Sequence, residues 1–326
     1  MTAKALIIKY HLQLIFMLDL TFLGTGSGPP TKTRNHSAIY LHYDQHNMLF
    51  DCGEGTQRQM IIAKGISFMK LDHIFITHWH ADHWVGLIGL LYTMNLEGRT
   101  RPLYIHGPDA ERFIGDILDL DYWGSSFRVI PKNVPFEGNR EVKIYETDEF
   151  EIIAVPTRHS VPSVAYCFRE RDKVNVDIAK AEKLFGLKEG RLVGKLKEKG
   201  EIELKGKKIK LEDVGIRKPG LKVIYSGDTE PCENILAISK GADLLIHDAT
   251  FIESKEEMMH SGAKEAAEIA KKAGVKNLIL THFSRRYTDL REIEAEAKKV
   301  FANSFVARDF MSVSLKNSDI KFGRAV

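Results

Sequence analysis

The chain has 326 residues, 44% of them hydrophobic and 28% charged, with 25 Gly and 10 Pro. That composition excludes disorder and collagen-like repeats and leaves a folded globular protein. Its 47 Lys and Arg against 44 Asp and Glu give a net charge of +3, so the bulk charge by itself points to no polyanionic partner.

Residues 1–16 carry Lys4, Lys9 and His11 among apolar residues and offer no small-residue cleavage site, which argues against a secretory signal. They read as a poorly ordered extension or an over-called start. The longest apolar stretch, Leu12 to Leu23, is interrupted by Gln13 and Asp19 and falls short of the ~18–20 residues of a membrane span. Cys52, Cys167 and Cys232 are odd in number and contain no CxxC, which predicts no disulfide framework and a reducing, cytoplasmic setting.

Met17 to Thr25 alternates apolar and polar residues and runs into Gly24-Thr25-Gly26-Ser27-Gly28, predicting a strand and a tight glycine turn. Strands follow at Ala38–His42, Met48–Asp51 and His73–Thr77, then a buried helix over Trp84–Leu96, a strand at Leu103–His106 and a helix over Asp109–Leu120. Four β-rich stretches surround Phe127, Val142, Ile152 and Ala165. The second half alternates strands at Val223–Ser226, Leu244–His247 and Leu278–Thr281 with helices over Cys232–Ser239, Gly262–Ala273 and Leu290–Val300. This order predicts an α/β protein of two sheets packed face to face with helices outside.

Between the halves, residues 169–222 hold 17 Lys and Arg against 10 Asp and Glu, a net +7 that leaves −4 on the other 272 residues. The glycine-punctuated run Gly186 to Lys197 includes Lys188, Arg191, Lys195 and Lys197. It reads either as a solvated hairpin or as an arm whose cations meet phosphates, each contact adding salt-dependent affinity.

The chemistry is concentrated in His78-Trp79-His80-Ala81-Asp82-His83, directly after a strand. Chance produces this pattern about once per thousand chains of this composition. Alternate residues of an extended segment point one way, so His78 and His80 can share an ion. A turn into the next helix can aim Asp82 and His83 at a second ion. His159, Asp228 and His282 each follow a predicted strand, where α/β sheets present function, and are the further ligand candidates. Trp79, Trp84 and Trp123 read as packing residues.

With these residues in place, the chain from Met17 onward resembles the metallo-β-lactamase superfamily and, within it, the ribonuclease Z family. Pro30-Thr31-Lys32-Thr33-Arg34-Asn35 fits the family's PxKxRN loop, and Phe50 to Gln59 fits the stretch before its zinc motif. The resemblance implies an αββα four-layer sandwich over 17–168 and 221–326, with residues 169–220 inserted as a flexible basic arm. It implies two Zn2+ per subunit, one on His78, His80 and His159, the other on Asp82, His83 and His282, with Asp228 bridging and Asp51 behind a ligand. Asp82 would accept the nucleophile's proton. His260 is the candidate proton donor, in His260-Ser261-Gly262 where His-Ser-Thr is common, and His247-Asp248-Ala249-Thr250 stands where the family often has His-Glu-Ala-Thr. Lys32, Arg34 and Asn35 would meet the RNA 3′ end, Arg34 on phosphates or stacked on a base, while Lys188, Arg191, Lys195 and Lys197 would grip the tRNA elbow from the partner subunit of a homodimer. The implied activity is cleavage of the 3′ trailer from precursor tRNA, leaving a 3′ hydroxyl and a 5′-phosphorylated trailer. Hydrolysis of small phosphodiesters on the same site is the alternative.

Overall fold

The structure, a computed structural model, describes residues 17–326 apart from 121–123, 125, 254–258 and 317–318. The expectations for residues 1–16 and for Trp123 therefore lie outside the described residues. In chain order the first half gives β1 (Leu18–Gly24), β2 (Gly26–Ser27), β3 (Ala38–Tyr43), β4 (His46–Phe50), α1 (Thr56–Ile62), β5 (His73–Phe75), α2 (Ala81–Trp84), α3 (Gly86–Leu96), β6 (Leu103–Gly107), α4 (Ala110–Asp119), β7 (Val129–Asn133), β8 (Val142–Glu146), β9 (Phe150–Pro156) and β10 (Val164–Glu170). An inserted group follows: β11 (Lys173–Val176), α5 (Ile178–Phe185), α6 (Arg191–Lys199), β12 (Glu201–Leu204), β13 (Lys207–Lys210), α7 (Leu211–Val214) and β14 (Gly215–Lys218). The chain ends with β15 (Lys222–Tyr225), α8 (Glu233–Ile238), β16 (Leu244–Asp248), α9 (Ala263–Ala273), β17 (Asn277–Thr281), β18 (Phe283–Ser284), α10 (Arg291–Val300), β19 (Ser304–Val306), β20 (Met311–Lys316) and β21 (Asp319–Arg324).

One sheet has the order β21-β20-β1-β3-β4-β5-β6-β7 and the other β19-β17-β16-β15-β10-β9-β8. Strands β4 to β7 of the first sheet and β15, β16, β17 and β19 of the second pair in parallel, whereas β9, which leads to His159, is antiparallel to β8 and β10. The strand period of two divides the apolar residues of the first sheet between two cores. Leu18, Leu20, Phe22, Ile39, Leu41 and Phe75 face the second sheet, while Leu23, Tyr40, Leu49, Ile74 and Ile76 pack under α3 and α4 with Leu87, Leu90 and Ile114. Aromatic rings cross the gap between the sheets, Phe50 and Phe75 meeting Tyr166 at centroid distances of 5.9 and 5.4 Å. On the far side of the second sheet, α9 buries a row of alanines and Ile269, and Gly274 in the left-handed region closes it. These layers make the four-layer sandwich.

Three local differences from the sequence reading have physical causes. The Gly186 to Lys197 run is not a solvated hairpin, because Arg191–Lys199 forms α6 and places Val193 and Leu196 on its buried side. Helix α3 is buried on one face only, leaving Ile88 41% and Leu96 65% exposed. The β20–β21 hairpin carried little sequence signal because β21 is an edge strand that exposes most of its residues.

The inserted group leaves at the end of β10 and returns at the start of β15, strands that are antiparallel neighbours with Arg169 opposite Lys222. It has a small core of its own, made of Val176, Ala181, Leu187, Val193, Leu196, Ile209 and Val214.

At the start of β5, the end away from His78, His73 forms a buried pair with His106, with Nδ1 and Nε2 at 3.0 Å and the His73 ring against Tyr104 and Tyr145. Burial, with His46 adding to it, pushes His73 down to about 4; burial, with His73 and Lys132 adding to it, pushes His106 down to about 3. A histidine held neutral in the fold contributes stability that is complete above its unfolded pKa of about 6.5 and is lost as pH falls from there towards 4. We expect the wild-type chain to lose ~3 kcal/mol more than His73→Phe between pH 7 and pH 4 in urea unfolding, at ~1.4 kcal/mol per pKa unit. Parallel curves would disprove this.

Candidate metal centre and cleft

The chain turns from β5 into His78 and His80 and then into α2, which carries Asp82 and His83. Beyond β9 comes His159, beyond β15 Asp228, at the end of β16 Asp248, and beyond β17 His282. All seven sequence-derived ligand candidates thus meet at one rim of the paired sheets, in groups whose ligand atoms lie within 4.8 Å of one another: His78, His80 and His159; Asp82, His83 and His282; and His78, His83 and Asp228.

The hydrogen bonds made by the far side of each ring fix where its lone pair points. His159 Nδ1 sits 3.0 Å from the carbonyl of Met259 and must carry the proton. Thr77 Oγ1 donates to Asp51 and so accepts from His78 Nδ1. The Nε2 lone pairs of His78 and His159 therefore both aim at His80 Nδ1, at 3.1 and 3.0 Å. Three neutral imidazoles cannot satisfy one another in that arrangement, and a cation can. Burial lowers the pKa of all three rings.

The second group follows the same logic with carboxylates added. His83 Nδ1 is 2.7 Å from Asp51 Oδ2, and His282 Nδ1 is 2.8 Å from Thr250 Oγ1, itself a donor to Asp248. Their Nε2 atoms face each other at 3.2 Å, with Asp228 Oδ2 3.2 Å from both and 3.7 Å from His78 Nε2. Asp82 Oδ2 lies 3.4 Å from His282 Nε2 and 3.8 Å from His83 Nε2. Burial opposes charge on His83, yet Asp228 and Asp51 raise its pKa well above the usual value, and the same contest pushes His282 up to about 10 through Asp228, Asp248 and Asp82. The pocket demands positive charge, and a divalent cation meets that demand with neutral rings. Asp228 Oδ1 is buried and lacks any hydrogen-bond partner, as suits an atom left for a metal. The residues, with Asp228 close to both groups, fit divalent metal.

Behind these ligands, Asp51 is fully buried and takes hydrogen bonds from the Thr77 amide, the Thr77 hydroxyl and the Tyr225 hydroxyl, the last at 2.7 Å. Asp51 and His282 both have positive φ, 57° and 64°, a strained conformation for residues other than Gly. Gly227 brings the sheets together here: a Cβ on it would lie 2.7 Å from the Thr77 side chain. Tyr225 was read from sequence only as part of a strand; its apolar neighbours gave no sign that its hydroxyl serves the cluster.

His260 Nδ1 bonds Asp248 Oδ2 at 2.8 Å, leaving Nε2 to donate. Burial lowers the His260 pKa, but Asp248 and Asp228 raise it overall. Gly262, in place of Thr, has φ −92° and ψ 168°, an ordinary extended conformation, and Ser261 Oγ donates to the Thr229 carbonyl at 2.7 Å. The shorter Asp248 thus reaches His260 where the resemblance leads one to expect Glu.

Among the expected RNA contacts, Lys32 is exposed. Arg34 is not, at 6% exposure; its Nη2 donates to the carbonyls of Ser284 and Tyr287 at 3.2 and 2.8 Å. This corrects the expectation of a direct phosphate or base contact: the guanidinium is committed to the backbone that carries Arg285 and Arg286. Asn35 is half-buried and donates to the Glu54 carbonyl at 2.8 Å. On the arm, Lys188, Arg191 and Lys195 are exposed, whereas Lys197 turns back to Asn175 at 3.1 Å. Trp79 stacks on Phe113 at 4.3 Å, as packing.

Residues 18–178 match the family described as anti-Pycsar protein Apyc1, and residues 213–283 match the β-lactamase superfamily domain. A ribonuclease Z of Methanothermobacter thermautotrophicus is 42% identical over 309 residues, covering 93% of this chain and 98% of that one. One from Archaeoglobus fulgidus is 44% identical over 308 residues, covering 92% and 98%. The crystal structure of the short form of human tRNase Z superposes with a TM-score of 0.66 at 28% identity, covering 90% of this chain and 98% of that one.

Removing the Tyr225 hydroxyl leaves Asp51 less firmly set against His83. Groups supporting metal ligands from behind typically contribute 10–100-fold in affinity. We expect Tyr225→Phe to lose metal at a chelator concentration about tenfold lower than the wild type does, read by metal content after dialysis; identical titrations would remove Tyr225 from the site.

Proposed function

With relatives more than 40% identical over nearly its whole length, the chain belongs to the ribonuclease Z family of the metallo-β-lactamase superfamily, and from that membership we propose how it removes the 3′ trailer from precursor tRNA. The observation that carries the reading is the convergence of lone pairs and carboxylates on two points joined by Asp228. Two Zn2+ ions held there would supply a water nucleophile acidified to near neutral pH and would offset charge on the phosphoryl oxygens.

The chain's own groups do the rest. Asp82, only partly exposed, has Oδ2 fixed by the Gly28 amide at 2.9 Å and accepts the proton of the attacking water. His260, oriented by Asp248, donates its Nε2 proton to the departing 3′ oxygen. The products are a tRNA with a 3′ hydroxyl and a trailer with a 5′-phosphate. Lys32 and the Arg285–Arg286 turn held by Arg34 flank the RNA end. Lys188, Arg191 and Lys195 on the arm supply attraction to tRNA phosphates at a distance from the cut.

The enzyme acts as a homodimer. Ile61 and Ile62 of α1 are exposed, as are Ile88, Tyr92 and Leu96, which recur every four residues on α3, and helices α1 and α3 pack against each other. Exposed apolar residues on two packed helices fit a second copy of the same face related by a twofold axis. The three cysteines are free and no helix among the described residues is long and apolar enough to cross a membrane, which supports action in the reducing cytoplasm.

Three outcomes test this. Incubated with zinc or manganese, the protein should cut a 3′-extended precursor tRNA next to the discriminator nucleotide, with chelator abolishing the cut and Asp82→Asn slowing it about 10²–10⁴-fold; an uncut precursor rejects the assignment. Deleting Val174 to Lys218 should abolish tRNA cleavage while sparing a chromogenic phosphodiester, whereas equal loss of both would favour small-substrate chemistry. Leu96→Lys should convert a dimer to a monomer in light scattering, and an unchanged mass would place the interface elsewhere.

A further inference from the structure

Asp309 lies in the turn between β19 and β20, distant in sequence from every group invoked so far, yet its carboxylate joins three separate segments beside the cleft. Oδ1 accepts from the Thr25 hydroxyl at 2.7 Å. Oδ2 accepts from the Asn35 amide at 2.7 Å and from Gln59 Nε2 at 3.1 Å. Gln59 Nε2 also donates to the Leu23 carbonyl at 2.7 Å, and the Gly26 amide donates to the Asn35 carbonyl at 2.8 Å. One anion thus ties the glycine turn after β1, the Pro30–Asn35 loop and α1 into one body. Burial pushes Asp309 up to about 6, so keeping an ionised carboxylate here carries a cost. An anchor for packing alone is made more cheaply by an apolar side chain.

The turn it holds is the one that reaches the reacting groups. Gly28, three residues beyond Thr25, gives its amide to Asp82 Oδ2. The Thr25 carbonyl accepts from the Phe283 amide at 2.9 Å, which fixes the residue next to His282. Resting on the proposed role of Asp82, we propose that Asp309 is a positioning residue: by holding Thr25 and Asn35 it sets the Gly28 amide that aims the Asp82 carboxylate. A small displacement of a reacting group costs far more in rate than in binding, so the effect belongs to the chemical step and not to RNA affinity.

The test uses the full-length, zinc-loaded chain and a 3′-extended precursor tRNA. Single-turnover cleavage at saturating enzyme, precursor Kd and bound metal are measured for wild type, Asp309→Asn, Thr25→Val and Asp82→Asn. Asp309→Asn presents an amide donor where donors already point, and the expected result is a cleavage rate at least tenfold lower, with Kd within twofold and metal content unchanged. Thr25→Val removes one of the three bonds and should slow cleavage about threefold; it decides the matter if Asp309→Asn does not fold. A wild-type rate in the folded Asp309→Asn, or in Thr25→Val where it decides, overturns the inference, as does a loss confined to Kd. If Asp82→Asn itself keeps the wild-type rate, the underlying reading of Asp82 fails; if Asp82→Asn is slow and Asp309→Asn is not, only the role given to Asp309 fails.

Discussion

A buried cluster of carboxylates that demands positive charge among its own rings is the constraint around which this molecule is organised. Asp51, Asp228 and Asp248 are all essentially inaccessible; His83 Nδ1 donates to Asp51 and His260 Nδ1 to Asp248, while Asp228 faces the Nε2 atoms of His83 and His282. Such a group of charges is tolerable only with a cation to offset it. That requirement explains the strained backbone at Asp51 and His282. Strain of this kind persists only where the surrounding structure over-determines it, and here strands of both sheets converge on the same few atoms.

Charge is divided in space as well as along the chain. The body sums to −4 and residues 169–222 to +7. A body of net negative charge disfavours the approach of a polyanion, and a basic insertion offsets that repulsion. The mean of +3 conceals this division.

The fold and the grouping of His78, His80, Asp82, His83, His159, Asp228 and His282 were legible in the sequence because both depend on local patterns. Strand alternation and the His78 to His83 spacing survive reading one residue at a time, and His159, Asp228 and His282 stand out because each follows an apolar run. What escaped depends on long-range geometry. Tyr225 and Asp309 act through contacts 174 and 274 residues away along the chain, with no periodicity to mark them. Arg34 lies in a basic loop and reads as a solvent-facing cation; only the position of the Ser284 to Tyr287 backbone shows that the guanidinium turns inward. The faces of α3 were indistinguishable by composition, since Ile88 and Leu96 outside are as apolar as Leu87 and Leu90 inside.

The inserted group leaves and rejoins the second sheet at Arg169 and Lys222, which stand opposite each other in the ladder. A ladder that closes across the insertion does not register what lies between its two ends. The arm can lengthen, shorten or change its surface with only a weak, logarithmic entropic effect on the body, while Tyr225, three residues past that junction, keeps its hydroxyl on Asp51. The reach proposed for the arm can therefore evolve independently of the chemistry, because the joint between them sits on a hydrogen-bonded rung that both share.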